Sequence, residues 1–405
     1  MIRSARRLSL LLTVAAACRS PAVPPTLALT HVAVVDVERG TLLPDRTVLV
    51  YGRRIGRVDS ALPVPASPDY QTIDGTGLFL IPGLWDMHVH MDDAHTAGQL
   101  VSWGITGARV MSGGLEETLA LREGVLAGRV RGPRLLVVGL ALHGRASFAP
   151  DTGLALVQSG DEGRRAVDSL ARRGVDFIKV HEGLSREAWF AIARAARGHG
   201  IPLTGHVAAS LTPEEASDSG LGSIEHLEFL PDACLVLFNS STHRLVPPGC
   251  QPPALERLLQ HLHRNSVWLD PTIGSFRAFA PRQFPDILAG FAALVPLIRE
   301  TGLPVLAGTD FGSAGITPGA SLHDEMALLV DAGFSPAEAL RAATRNPAVF
   351  LGVGDSLGKA DSGDVADFVL LQGNPLSDIH NTKRIAAVVQ GGILIPRVVL
   401  DSLRR

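Results

Sequence analysis

A chain of 405 residues that is 46% hydrophobic and 19% charged can bury one large core and a smaller one beside it. Its formal net charge of -3 and the absence of a long basic cluster exclude a protein built to track phosphates, so no nucleic-acid partner is expected. The class left is a globular protein with a large core.

The chain opens with Arg3, Arg6 and Arg7, then the apolar run from Leu8 to Ala17, then Cys18. This order is that of a secretory signal, too short to span a bilayer. The triplet Ala15, Ala16, Ala17 before Cys18 is similar to a bacterial lipobox, although Ala15 stands where Leu is usual. Residues 1–18 are therefore expected to be a signal peptide of lipoprotein type. Lipidation at Cys18 would make a periplasmic or outer-membrane-anchored protein, and a plain signal cut nearby is the alternative. No later apolar run is long enough to span a membrane.

Residues 27–81 show short alternating strands, HVAVVDV and RTVLVYGRRIGRV. Residues 82–351 alternate apolar strand-like runs with amphipathic stretches such as EGRRAVDSLARRG and SREAWFAIARAARGHG. Strand ends fall near His90, Val110, Leu142, His181, His206, Phe229, Asp270 and Asp310. Eight such repeats predict a closed (β/α)8 TIM barrel. Strand patterns return in DVADFVLLQG and RIAAVVQGGILIPRVVL, so residues 352–401 are expected to join 27–81 in a small composite β-sandwich domain. Pro231 to Pro253 reads as an insertion after the sixth barrel strand. Its Cys234 and Cys250 could form a disulfide in an oxidising compartment or remain two buried thiols.

The strongest chemical signal is LWDMHVH. Residues i and i+2 of a strand share a face, so His88 and His90 converge on one spot. His261 and His263 have the same spacing but sit in the helical pattern ALERLLQHLHRN, where they diverge onto the surface. Lys179 ends GVDFIKV, His206 ends IPLTGHV, His226 ends LGSIEHL and Asp310 ends LPVLAGTD. Metal-competent side chains thus recur where barrel strands meet the active-site loops.

This pattern resembles the amidohydrolase superfamily, and more closely its imidazolonepropionase and Xaa-Pro dipeptidase-like branch. The run LRAATRNPAVFLGVGDSLGKADSGDVADFVLLQGNPLSD extends the likeness to the C-terminal part. The resemblance implies two divalent metal ions, most readily Zn(II). His88, His90 and Asp310 would hold the more buried one, and His206 and His226 the other. Lys179, carboxylated by CO2 to N6-carboxylysine, would bridge them, because an unmodified ammonium has no lone pair to give. A metal-bridging hydroxide would attack an amide or related C–N bond, with Asp310 shuttling the proton to the leaving amine. A dipeptide or an N-acyl amino acid would fit as substrate, and lactams and lactones fit the same centre.

His143, His181 and His323 are further expected substrate contacts, with a plain loop role as the alternative for His181 and a capping or surface role for His323. Asp92 and Asp93 read as solvated loop carboxylates. Two features depart from the dipeptidase-like pattern. The only tyrosines, Tyr51 and Tyr70, precede the barrel, and IKVHEG replaces a small, Gly-rich fourth strand. Other readings on the same fold are a lactonase, a mononuclear heterocycle deaminase and a non-catalytic binding protein. The deaminase is disfavoured because Ala209 stands where an H-x-x-E acid would follow His206.

Overall fold

A computed structural model describes residues 24–60, 62, 64, 69–144, 153–227, 252–282, 284–312 and 315–405. The expected signal segment with Cys18 lies outside the described residues, as do Cys234 and Cys250.

The alternating N-terminal runs form β1 (Leu27–Asp36), β2 (Thr41–Tyr51), β3 (Arg54–Asp59), β4 (Gln71–Asp74) and β5 (Phe79–Pro82). Leu29, Val48, Val50 and Ile55 point from these strands into a small apolar core of their own. One residue, Gly83, separates β5 from the first barrel strand, and a β-carbon there would collide with the Thr106 side chain. The chain can pass this close only because the position is glycine.

Parallel strands follow: β6 (Leu84–His90), β7 (Ile105–Ser112), β8 (Arg134–Val137), β9 (Ala141–His143), β10 (Leu154–Leu156), β11 (Ile178–Val180), β12 (Leu203–Gly205), β13 (Leu221–Glu225) and β14 (Trp268–Asp270). They pair in two parallel runs, β6-β7-β8 and β10-β9-β11-β12-β13-β14. The segment around Val305 closes the ring. Leu306 N–H donates to Leu269 O on one side, and Met87 N–H and His90 N–H donate to Ala307 O and Phe311 O on the other. The third expected strand is split into β8 and β9 at Gly139, whose φ of 70° no strand can accommodate. The helices between strands start and stop where local chemistry dictates. Ser159 and Ser185 cap the helices Gly160–Arg173 and Arg186–His199, and left-handed Gly174 and Gly200 end them.

After the barrel come β15 (Phe368–Leu371), β16 (Ile385–Gln390) and β17 (Ile393–Pro396). They join the first strands in the order β17-β16-β15-β5-β1-β2-β3, with β4 on β1, so both chain ends build the β-sandwich domain. Val369, Leu371, Ile385 and Val388 pack into the same apolar cluster as barrel residues Leu84, Ile105 and Leu135. Among the described residues no helix is long and apolar enough to cross a membrane.

Candidate metal centre

The strand pleat does what the H-x-H spacing predicts. His88 Nε2 and His90 Nε2 lie 3.5 Å and 3.0 Å from one oxygen of Asp310. Lys179 Nζ, from β11, is 3.3 Å from His88 Nε2. The His226 ring is 4.9 Å from that of His88, and His206 is 4.8 Å from His226, centroid to centroid. Side chains from five strands thus meet at the C-terminal mouth of the barrel, where barrel chemistry takes place.

Their outer edges are held by neighbours. The Nδ1–H of His88 donates to Glu225 Oε2 at 3.0 Å. His90 Nδ1 bonds Ser112 Oγ at 2.6 Å, and His226 Nδ1 bonds Thr272 Oγ1 at 2.6 Å. For His88 and His90 this turns Nε2 inward, toward Asp310, which is how a protein orients ligating imidazoles. The backbone is bent to the same end. His226, Thr272 and Asp310 have φ of 61°, 42° and 56°, left-handed values costing about 1–3 kcal/mol each for residues with a β-carbon. Gly308 and Gly312 make room, since a β-carbon at either would run into His88 or His90.

The electrostatics suit a cation. Burial first, and Lys179 second, drive the His88 imidazolium well below its usual range; burial and His226 do the same to His206. Both rings are therefore neutral with a lone pair to give. Burial alone would raise the Asp310 pKa, but the hydrogen bond from His90 holds it below the normal carboxylate range. Neutral imidazoles around one carboxylate form a donor set for zinc or a similar ion. His88, His90 and Asp310 present ligand atoms within 4.8 Å of one another, so the residues fit such an ion.

Above the cluster opens a cleft of about 990 Å³. His181 lines it, its ring 4.1 Å from that of His206. Asp92, Ser112 and Glu182 give polar walls, and Leu154, Phe276 and Phe279 an apolar one. His143 ends β9 but is buried and is not among the lining residues.

His323 does not reach the cleft either. Its ring is buried between Trp103 O, at 3.0 Å, and Thr382 Oγ1, at 2.9 Å, and burial lowers its pKa to about 4. It ties the helix Ala320–Asp331 to the C-terminal segment, which corrects both the substrate-contact and the surface expectation. Asp93 is likewise no idle carboxylate, because it caps the helix Ala94–Ser102 through Thr96 N–H. His261 faces Asp218 on a helix surface, away from the cluster.

Several supporting residues escaped the sequence reading. Glu225, Arg109 and Asp270 are wholly buried beneath His88, and Ser112 and Thr272 hold the outer imidazole edges. The available hints were an acid beside His226 in SIEHL and a lone Arg inside the apolar run ITGARVM.

A closed parallel barrel with imidazoles, a lysine and an aspartate at its C-terminal mouth defines a metal-dependent hydrolase site. The chain belongs to the amidohydrolase family, whose sequence profile matches residues 79–394. It is 27% identical to an imidazolonepropionase of Rubrobacter xylanophilus over 86% of this chain and 91% of that protein. A Xaa-Pro dipeptidase structure with bound methionine superposes with a TM-score of 0.75 at 20% identity, covering 91% of this chain and 99% of the other. A molinate hydrolase structure gives 0.73 at 20% identity over 93% and 95%. The chain is thus a metal-dependent hydrolase acting on carbon–nitrogen bonds.

Proposed function

We propose that the chain hydrolyses an amide bond of a small molecule, a dipeptide or N-acyl amino acid, at a binuclear zinc centre. The convergence of His88, His90, Lys179, His206, His226 and Asp310 carries this reading. His88, His90 and Asp310 would hold one ion, and His206 and His226 the other. Lys179 would serve both after its amine adds to CO2, losing a proton and gaining two carboxylate oxygens. Its placement supports this: the side chain is 2% exposed and its nitrogen faces the His88 lone pair. The ions, when bound, supply Lewis acidity toward the scissile carbonyl and acidify water at neutral pH.

The protein's own groups do the rest. Asp310, anionic and hydrogen-bonded to His90, takes the proton of the attacking water and delivers it to the departing amine. His181, facing the cleft beside His206, is placed to donate to the carbonyl oxygen as charge develops there. The Phe276 and Phe279 wall receives an apolar substituent, and Asp92, Ser112 and Glu182 offer polar contacts opposite.

The test is metal analysis joined to a hydrolysis screen of dipeptides, N-acyl amino acids, lactams and lactones. About two divalent ions per chain and turnover of an acyclic amide are expected. Lys179→Ala should lose bound metal and regain part of the activity with added short carboxylates. Wild-type metal content in that variant would overturn the bridging role, and turnover of lactones alone would overturn the substrate class.

A further inference from the structure

Beneath the metal cluster, His88, Glu225 and Asp270 form a second group whose ligand atoms lie within 4.8 Å of one another. A cation already stands there. Arg109 Nη2 is 2.9 Å from both Glu225 oxygens and 3.3 Å from Asp270 Oδ2. Its Nη1 donates to Thr204 and Ser223 at 3.0 Å and 2.9 Å, and its Nε to Met87 O at 2.6 Å. The rings of Phe177 and Phe350 lie 5.8 Å and 5.4 Å from its guanidinium carbon. Arg109, Glu225 and Asp270 are all 0% exposed.

This arrangement is directional. Glu225 Oε1 accepts from Thr204 and Ser223, at 2.7 Å and 2.6 Å, as well as from Arg109. Among the contacts of the described residues, Oε2 accepts from Arg109 and from His88 Nδ1–H, the latter at 3.0 Å. The carboxylate is thus locked with one oxygen anchored in the barrel interior and the other aimed at the ring. An imidazole whose Nδ1 carries the proton has its lone pair on Nε2, the atom facing Asp310 and Lys179.

We propose that Arg109 is a positioning residue of the metal centre, acting through Glu225 to fix the His88 tautomer and ring angle for ligation. The inference rests on the metal-centre reading above. It also gives the guanidinium a reason to lie in the barrel core, where a flexible ammonium could not clamp both oxygens.

The decisive variant is Glu225→Gln. An amide offers one oxygen where Arg109 requires two acceptors, so its NH2 turns toward His88 Nδ1 and the ring proton moves to Nε2. Nitrogen-15 NMR of the metal-free protein should show His88 passing from the Nδ1–H to the Nε2–H tautomer. Zinc affinity, measured against a competing chelator, should fall about 10- to 100-fold. Arg109→Lys should shift both readouts part of the way. Thr204→Val removes one acceptor of Arg109 Nη1 and one donor to Glu225 Oε1 but leaves the Nη2 clamp and the Oε2 bond to His88 in place, so it should lower stability while leaving tautomer and affinity at wild-type values.

An unchanged His88 tautomer in Glu225→Gln, or an equal affinity loss in Thr204→Val, would overturn the proposal. Should Glu225→Gln not fold, Arg109→Lys decides it by the same two measurements. A wild type that took up no zinc would instead overturn the metal-centre reading, and the tautomer, read without metal, would still decide the positioning claim.

Discussion

Asp310 holds the cluster together through one carboxylate, and its chemistry can be separated from its packing. Its Oδ1 lies between two imidazole nitrogens, and its backbone sits in the left-handed region just past the closing strand segment. Asp310→Asn keeps the size and backbone preference, since Asn also tolerates that region, but removes the proton acceptor. A loss of roughly 100- to 10,000-fold in kcat/KM is expected, with a far-ultraviolet circular dichroism spectrum like wild type. Full activity in a folded Asn variant would remove Asp310 from the mechanism. This residue was legible in the sequence because it ends an apolar run, as do Lys179, His206 and His226. Arg109 and Asp270 were not, because a charged residue inside a buried strand acquires meaning only from partners on other strands. Arg109 meets Thr204, Glu225 and Asp270 across gaps of up to 161 residues. His323 failed for the opposite reason: a histidine near a strand end looks functional until its two hydrogen bonds to Trp103 and Thr382 are seen.

Elements were legible where periodicity is long and caps are explicit, as in the helices Gly160–Arg173 and Arg186–His199. They were less so where strands shrink to three residues, as in β9, β11, β12 and β14. A short helix after β14, Ile273–Phe279, depends on a device no local pattern reveals. Glu325, from the helix Ala320–Asp331, accepts Ile273 N–H and Gly274 N–H at 2.8 Å and 2.7 Å. It thereby pins the turn at Thr272, whose hydroxyl holds His226. Burial pushes the Glu325 pKa up to about 8 against the pull of those two N–H groups. A pKa raised on folding gives stability that is complete below the unfolded value and is lost as pH rises through the folded one. The depressed imidazoles of His88 and His206 act the other way, losing stability as pH falls below 6.5. Between about pH 6.5 and pH 8.5 the raised acids therefore set the slope, with Asp86, pushed by burial to about 7, as the second contributor. Urea unfolding of the wild type should show stability falling across that window. Glu325→Gln should be less stable near pH 6.5, having lost one acceptor, yet show a shallower fall. Equal slopes in the two proteins would refute the role given to Glu325.

At the scale of the molecule, the return of strand patterns after the barrel revealed that the two chain ends share a domain, but not how firmly it is joined to the metal-binding strands. The coupling runs through β5. Its Leu80 pairs with Val34 of β1 and with Leu370 of β15, and after Gly83 the same chain becomes the strand that carries His88 and His90. Apolar residues of β15 and β16 share one core with the barrel, and Arg345, near the end of the barrel segment, reaches Glu38 on the side of the N-terminal strands at 2.6 Å. Two units joined by a strand and a common core should unfold together, in contrast to domains linked by a loose tether. A metal ion binding residues scattered from His88 to Asp310 stabilises only the assembled barrel, and mass action then raises its unfolding temperature. Scanning calorimetry of the metal-free protein should accordingly give one endotherm, and added zinc should move that whole endotherm upward. Two endotherms, only the barrel's rising with zinc, would mean that the β-sandwich domain is an independent unit. The β5 junction would then be a covalent link with no energetic coupling to the site.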